Sequence, residues 1–319
     1  MIVDNVPQRD DDGEDHRVKM RFDLVSEVVK ADDSTRTVYM VMKPDPRRYD
    51  EVVIAGKPHY LDKYLRHIVE VEEFTRAAVG QMQGLPIAYD PPSIESAASY
   101  AQQRQSAVKG ELGGAGYSSP SEKARAQTDV YRATTERDLV FLSVDICGSS
   151  FLRKLDYESF EKSYQIFFRE LATSVGHFHG SILKATGDGF IAYLDGRPFT
   201  TQCDNAIDLG LTFLSLLREG INPVLRAEGL PEIQIRVGGD YGKASIRKIE
   251  VPATGYATSE VASDALNRTV AIEQSAQRGE LRIGRSLYEL IHVQWLERCE
   301  QVSCDADVKL ADYQVYVVR

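Results

Sequence analysis

LVFLSVDI, residues 139–146, is a continuous apolar run that ends on an aspartate and opens into the small-residue loop Cys147-Gly148-Ser149-Ser150-Phe151. An apolar run of this length, bounded by a glycine turn, reads as a buried strand. After it, Phe160, Tyr164, Phe167, Phe168, Leu171, Val175 and Phe178 lie along one face of a helix that Gly180 stops. SILKATGDGFIAYLD (181–195) then reads as a hairpin turning at Thr186-Gly187-Asp188-Gly189. A second amphipathic helix carries Cys203, Ala206, Ile207, Gly210, Phe213, Leu214 and Leu217. EIQIRVGG is the next strand, followed by an expected turn at Asp240-Tyr241-Gly242 and the strand KASIRKIE. Residues 264–277 are expected to be helical, and LRIG, the short helix RSLYELI and the strand YQVYVVR close the chain. The order βαββαβ predicts an α+β sandwich of the ferredoxin-like or palm type.

Residues 1–17 are charge-rich and read as a disordered N-terminus. Residues 18–102 suggest a small α/β module of unassigned role, with strands in VKMRFDLVSEVV and RTVYMVMK. Its expected helix spans 59–82, on the spacing of Tyr60, Tyr64, Ile68, Val71, Phe74 and Ala78. His59 and His67 lie two helical turns apart, too far for a chelating pair. Residues 103–130, with Gly113-Gly114 and Ser118-Ser119-Pro120, read as a linker, and 131–319 as the larger domain.

Apolar residues make up 43% and charged ones 27%, the balance of a globular protein with a core. The net charge of −10 argues against nucleic acid or an anionic membrane as partner, because both require a dense positive face. No run of eighteen apolar residues exists. The polar start is neither a signal nor a transit peptide, and the four cysteines form no CxxC, so reduced thiols in a cytoplasm are the expectation.

Asp145 and Asp188 carry the chemistry. On neighbouring strands their carboxylates can converge, and two close carboxylates repel unless a proton or cation sits between them. Hard divalent cations take oxygen ligands, and Mg²⁺ or Mn²⁺ commonly joins a few carboxylates to substrate phosphates. The loop after Asp145 offers backbone N–H groups to phosphate oxygens, with Gly148 permitting close approach. A cap or turn role for the two aspartates is the alternative.

FLSVDICGSS, KATGDGF and LNRTVAIEQSA, in this order, resemble the catalytic domain of class III nucleotidyl cyclases over about residues 138–319. The resemblance implies a homodimer with shared sites that converts a nucleoside triphosphate into the 3′,5′-cyclic nucleotide and pyrophosphate with two Mn²⁺ or Mg²⁺ ions. It implies that Asp145 and Asp188 are the metal aspartates, that the Ile146 carbonyl adds a ligand, and that Cys147, Gly148, Ser149, Ser150 and Phe151 face the phosphates. Lys184 matches the base-reading lysine of adenylate-forming members, and reads equally as a solvated strand residue. Asn267 matches the ribose-orienting asparagine, with a helix-surface or capping role as the alternative. Glu260 stands where adenylate-forming members often place an aspartate or threonine.

Departures accompany the match. The arginine expected four residues after Asn267 is Ala271, with Arg268 adjacent, and the Trp-Gly pair is missing from TGYATSEVASDALN. With these departures the chain looks like the bacterial uridylate and cytidylate cyclases of the Pycsar anti-phage defence, which implies UTP as substrate and cyclic UMP as a second messenger. An adenylate cyclase, a degenerate nucleotide-sensing domain and a scaffold are the other readings. Gly238-Gly239-Asp240-Tyr241 resembles the GGDEF motif but has tyrosine at the second acid. His177 and His179 lack a third zinc ligand nearby, and Cys147 reads as a buried thiol or a redox switch.

Overall fold

The computed structural model describes residues 21–32, 37–82, 91–128, 130, 136–195, 199–304 and 310–319. The tail expected to be disordered, 1–17, lies outside the described residues. The chain divides into two units, 1–44 and 45–319. In the first, β1 (Leu24–Asp32) and β2 (Thr37–Pro44) pair as an antiparallel hairpin.

The second unit opens with a three-stranded antiparallel sheet, β3 (Tyr49–Ile54), β4 (Lys57–Asp62) and β5 (His67–Glu70), followed by α1 (Val71–Met82). The helix expected over 59–82 is thus a strand pair in its first half. Asp62 decides this. Its Oδ1 accepts the N–H groups of Tyr64 and Leu65, closing a turn, while its Oδ2 takes Nε of the fully buried Arg48 at 2.7 Å. Arg48 also donates to the carbonyls of Ile291 and Glu289, tying this sheet to the larger domain.

The large sheet runs in the order β12-β13-β11-β9-β6-β8-β7. Its strands are β6 (Arg137–Ile146), β7 (Gly180–Ala185), β8 (Gly189–Leu194), β9 (Ile235–Val251), β11 (Leu281–Gly284), β12 (Cys299–Val302) and β13 (Val315–Val318), with β10 (Tyr256–Ala262) paired to β9. The order β9-β6-β8-β7 is the ferredoxin-like arrangement that βαββαβ predicts. On one face, α4 (Tyr157–His177) and α5 (Phe199–Ser215) bury Phe160, Phe167, Leu171, Ile207 and Phe213 against β6 and β8. Two short helices, α3 (Ser149–Leu155) and α6 (Asn222–Ala227), flank them. On the other face, α7 (Asp264–Ser275) lies across β9 and β6. Two short helices after β11, α8 (Arg285–Tyr288) and α9 (Val293–Leu296), add Leu287, Val293 and Leu296 to the α4–α5 core.

Two expectations fail for the same physical reason. The residues expected as a linker begin inside α2 (Ala97–Gly110), whose Ala101 and Val108 are fully buried. Its Arg104 pairs through Nε and Nη2 with Glu170 of α4, at 2.6 and 2.9 Å. The small residues permit close packing here: a Cβ on Gly220 would lie 2.7 Å from the Ala101 carbonyl oxygen. Beyond the helix, the Gln127 side-chain amide bonds both backbone groups of Ile182 and so covers the β7 edge. The turn expected at 240–242 is likewise absent, because β9 continues through it. Gly238 is bare because α7 rests on it, a Cβ there falling 2.3 Å from the Glu273 nitrogen. Asp240 is completely buried, accepting from Arg268 Nε at 2.6 Å and from the Tyr313 hydroxyl at 3.0 Å. This internal ion pair, not a hairpin acid, accounts for the Gly-Gly-Asp-Tyr run.

Asp208 on α5 yields a stability prediction. Burial, and then the charge of Asp204, push its carboxyl up to about 7. An acid whose pKa is raised on folding weakens the fold as pH climbs from its unfolded value, near 4, to its folded one. Asp208→Asn is therefore expected to stabilise the protein by about 2–4 kcal/mol at pH 8 and by almost nothing at pH 4. Urea unfolding at the two pH values checks this; equal gains at both would reject it.

Candidate functional site

The register Asp145↔Gly189 brings the end of β6 beside the start of β8. Only glycine allows it, since a Cβ on Gly189 would sit 1.9 Å from the Val144 carbonyl oxygen. The Ile146 N–H donates to the Asp188 carbonyl at 3.3 Å, locking the Thr186–Gly189 turn to the strand end. Asp145 and Asp188 thereby come together, as expected. Burial first, and the charge of Asp188 second, hold the Asp145 carboxyl above the usual carboxylate range, against the pull of Arg236. Ser149 Oγ donates to Asp188 Oδ2 at 2.5 Å.

Arg236 and Glu273 complete this cluster and were missed from sequence. Arg236 lies directly opposite Asp145 in the β6–β9 register and donates through Nη2 to Asp145 Oδ2 at 2.9 Å. Its Nε lies 2.7 Å from Glu273 Oε1, and its Nη1 donates to the Gln274 carbonyl. Burial and then Asp145 push Glu273 up to about 7. The available signal was an arginine inside the apolar strand IQIRVGG, two residues before glycines that admit the helix bearing Glu273.

In the following loop Gly148 takes φ 77°, a conformation suited to glycine, and starts α3. Cys147 spends its N–H on the Gln234 carbonyl at 2.8 Å, and Phe151 spends its own on Gly148 at 3.0 Å. Gly148, Ser149 and Ser150 are the part of 147–151 whose N–H groups begin a helix. Burial pushes the Cys147 thiol up, which suits an inert thiol. An Arg278 guanidinium nitrogen would lie 3.7 Å from a Cβ on Gly148, so a cation flanks the loop.

Lys184, Glu260 and Asn267 gather elsewhere. They line one pocket of about 1010 Å³, together with Leu183, Ile191 and Arg247. Neither Asp145 nor Asp188 lines it. Lys184 is exposed on β7, beside an irregularity at Ile182/Lys184. Asn267 is exposed on α7 and is not its cap; Ser263 is, accepting the Leu266 N–H. Glu260 is ion-paired with Arg247 on the facing strand. Arg268 lines the same pocket, with its guanidinium drawn to Asp240 and over the Tyr313 ring at 4.7 Å. Ala271 is fully buried against Ile272, Leu310 and Val315.

The side-chain donors at Asp145 and Asp188 are oxygens: two carboxylates and the Ser149 hydroxyl. Among the described residues no three His, Cys, Asp or Glu side chains converge as a metal cage. Two carboxylates fit Mg²⁺ or Mn²⁺ held jointly with phosphate oxygens, and do not fit a closed structural zinc site.

No family model and no curated protein matches the chain. Solved structures do. The adenylyl cyclase CyaB from P. aeruginosa superposes with a TM-score of 0.50 at 17% identity, over 59% of this chain and 96% of its own. The guanylyl cyclase Cya2 gives 0.49 at 21% identity, over 58% and 93%. The non-canonical dimeric guanylyl cyclase domain of the RhoGC fusion protein from Blastocladiella emersonii gives 0.45 at 14%, over 58% and 97%. The structural neighbours are thus guanylyl and adenylyl cyclase domains, and the likeness to CyaB supports the palm-type α+β fold expected from sequence. No helix among the described residues is long and apolar enough to cross a membrane.

Proposed function

We propose that this chain is a nucleotidyl cyclase that converts a nucleoside triphosphate, UTP foremost, into the 3′,5′-cyclic nucleotide and pyrophosphate. The observation that carries this reading is the pairing of Asp145 with Asp188 beside the glycine-started loop, on a fold shared with cyclase domains. Asp145, Asp188 and the Ile146 carbonyl would hold two Mg²⁺ or Mn²⁺ ions. When bound, the ions lower the pKa of the ribose 3′-hydroxyl and neutralise charge on the departing pyrophosphate. Arg236 and Arg278 flank the acidic pair and the loop, where cations steady phosphate oxygens. Asn267 would orient the ribose, and Lys184 with Glu260 would face the base.

Asn267, Lys184 and Glu260 share a pocket that neither aspartate lines, which supports a site assembled from two chains. In a C2 homodimer each site takes the acidic half from one protomer and the ribose and base half from its partner. The product would act as a cytoplasmic second messenger in anti-phage defence.

A nucleotide sensor without turnover is the second reading. Buried Ala271 favours it, since that position offers no cation to a transition state. Incubating the protein with each of the four NTPs and Mn²⁺, followed by mass identification of products, separates the two. Cyclic UMP as the main product is expected. Nucleotide binding without pyrophosphate release would establish the sensor, and a preference for ATP would replace the uridine reading with an adenylate cyclase.

A further inference from the structure

Away from both halves of the proposed site, a cavity of about 770 Å³ opens between α5, the two prolines ahead of α2 and the C-terminal strand β13. It shares no residue with the Lys184–Asn267 pocket, and neither Asp145 nor Asp188 lines it. A volume of this order suits a small organic molecule. Part of the wall is apolar, from Ile94, Phe178, Leu211, Val317 and the indole of Trp295.

The polar part comes from one helix. Asp208, Thr212 and Ser215 occupy positions i, i+4 and i+7 of α5, which share a helical face. Among the described residues, none of these three side chains makes a hydrogen bond or an ion pair. Thr212 is only 3% exposed, so its hydroxyl is a buried wall group without a partner. Buried polar groups are ordinarily hydrogen-bonded, and a carboxylate withdrawn from water without a partner is costly.

Most other charges of the lining are spent. Arg218 pairs with Glu219 at 2.5 Å, Arg319 with Glu300 at 3.2 Å and Glu280 with Arg282 at 2.9 Å. The Arg298 guanidinium lies over the Trp295 ring, 5.0 Å from its centroid. The uncommitted charge of the cavity is therefore negative, from Asp208 and the exposed Glu95.

We propose that this cavity is a second binding site, for an organic cation: a protonated amine held by the Asp208 carboxylate and the Thr212 and Ser215 hydroxyls, with an apolar body against Phe178, Leu211 and Trp295. An ammonium group has three donors and no acceptor, and a carboxylate with two hydroxyls supplies the acceptors it needs. A neutral or anionic ligand would leave the carboxylate unpaired. The proposal does not rest on the cyclase reading, and its test involves no turnover.

The charge on Asp208 makes binding depend on pH. Its carboxyl is pushed up to about 7 by burial and then by Asp204 of the same helix, while Arg298 beyond α9 pulls it down. Glu95, Arg218, Glu280 and Arg319 are the other charged groups of the lining. An alkylamine stays protonated from pH 6 to 8, whereas Asp208 ionises over that range. Affinity therefore rises with pH, by about tenfold between the two values.

Trp295 is the only tryptophan of the chain, so its fluorescence reports on this cavity. The probe is 2-phenylethylamine, with 2-phenylethanol as its uncharged counterpart, titrated into the full chain as wild type and as Asp208→Asn. The amine is expected to shift the emission saturably, with a Kd at or below about 1 mM for a ligand this small. At pH 8 it should bind at least about tenfold more tightly than the alcohol, whose affinity stays flat with pH. Asp208→Asn, expected above to gain stability at pH 8, keeps the fold and loses both the amine preference and the pH dependence. Equal binding of amine and alcohol by the wild type would overturn the proposal, as would unchanged amine affinity in Asp208→Asn. A flat pH profile for the amine, or no saturable signal below about 10 mM, would overturn it too.

Discussion

Replacing Asp145 or Asp188 with alanine is expected to lower cyclic-nucleotide formation by at least about a thousandfold while the protein stays folded. Both halves of that expectation follow from the cluster. On the proposed reading each aspartate would supply oxygen to cations that activate one hydroxyl and stabilise a leaving pyrophosphate, so losing either would remove several kcal/mol of transition-state stabilisation. The fold has no comparable dependence on them. Asp145 is half-buried beside a like charge, and after its removal Arg236 keeps Glu273 at 2.7 Å. Asp188 loses one bond from Ser149, while its backbone carbonyl still holds Ile146. Pyrophosphate release and thermal melting, measured together, check the prediction. Near-wild-type turnover by either variant would show that the acidic pair does not carry the reaction.

Mixing two inactive variants is expected to recover activity. On the proposed reading Asp145→Ala damages the acidic half of a site and Asn267→Ala the ribose half, and Asn267 lines a pocket that neither aspartate lines. A heterodimer of the two has one doubly damaged site and one intact site. With random exchange about half the dimers are mixed, each with one working site of two, so the ceiling is about a quarter of wild-type activity. Each variant alone stays inactive. Absence of recovery, when exchange between differently tagged subunits has been demonstrated, would place complete sites within single chains. Recovery would equally exclude the sensor reading, because a sensor has no turnover to restore.

The sequence by itself determined the βαββ core of the large sheet and the helices packed on it. The apolar run 139–146, the aromatic stripe from Phe160 to Phe178 and the glycine-flanked turn at Asp188 are local patterns with strand, helix and hairpin periods, and the large sheet realises them in the ferredoxin-like order. The pairing of Asp145 with Asp188 was also legible, because adjacent strands leave little freedom in where their ends meet.

Tertiary structure alone decided the rest. Small residues read as turn or linker wherever they cluster, yet Gly238 is bare because a helix backbone lies against it, and Gly220 is bare because the α2 backbone at Ala101 lies against it. No local pattern distinguishes a glycine needed for φ from one needed for contact. The helix expected over 59–82 gave way to a strand pair because Asp62 serves a turn and Arg48 at once. Arg236 joined the acidic cluster through cross-strand register, and Arg247 met Glu260 in the same way. Long-range pairing of charged side chains leaves no periodic trace in a chain, because what brings them together is the register of strands that other residues hold in place.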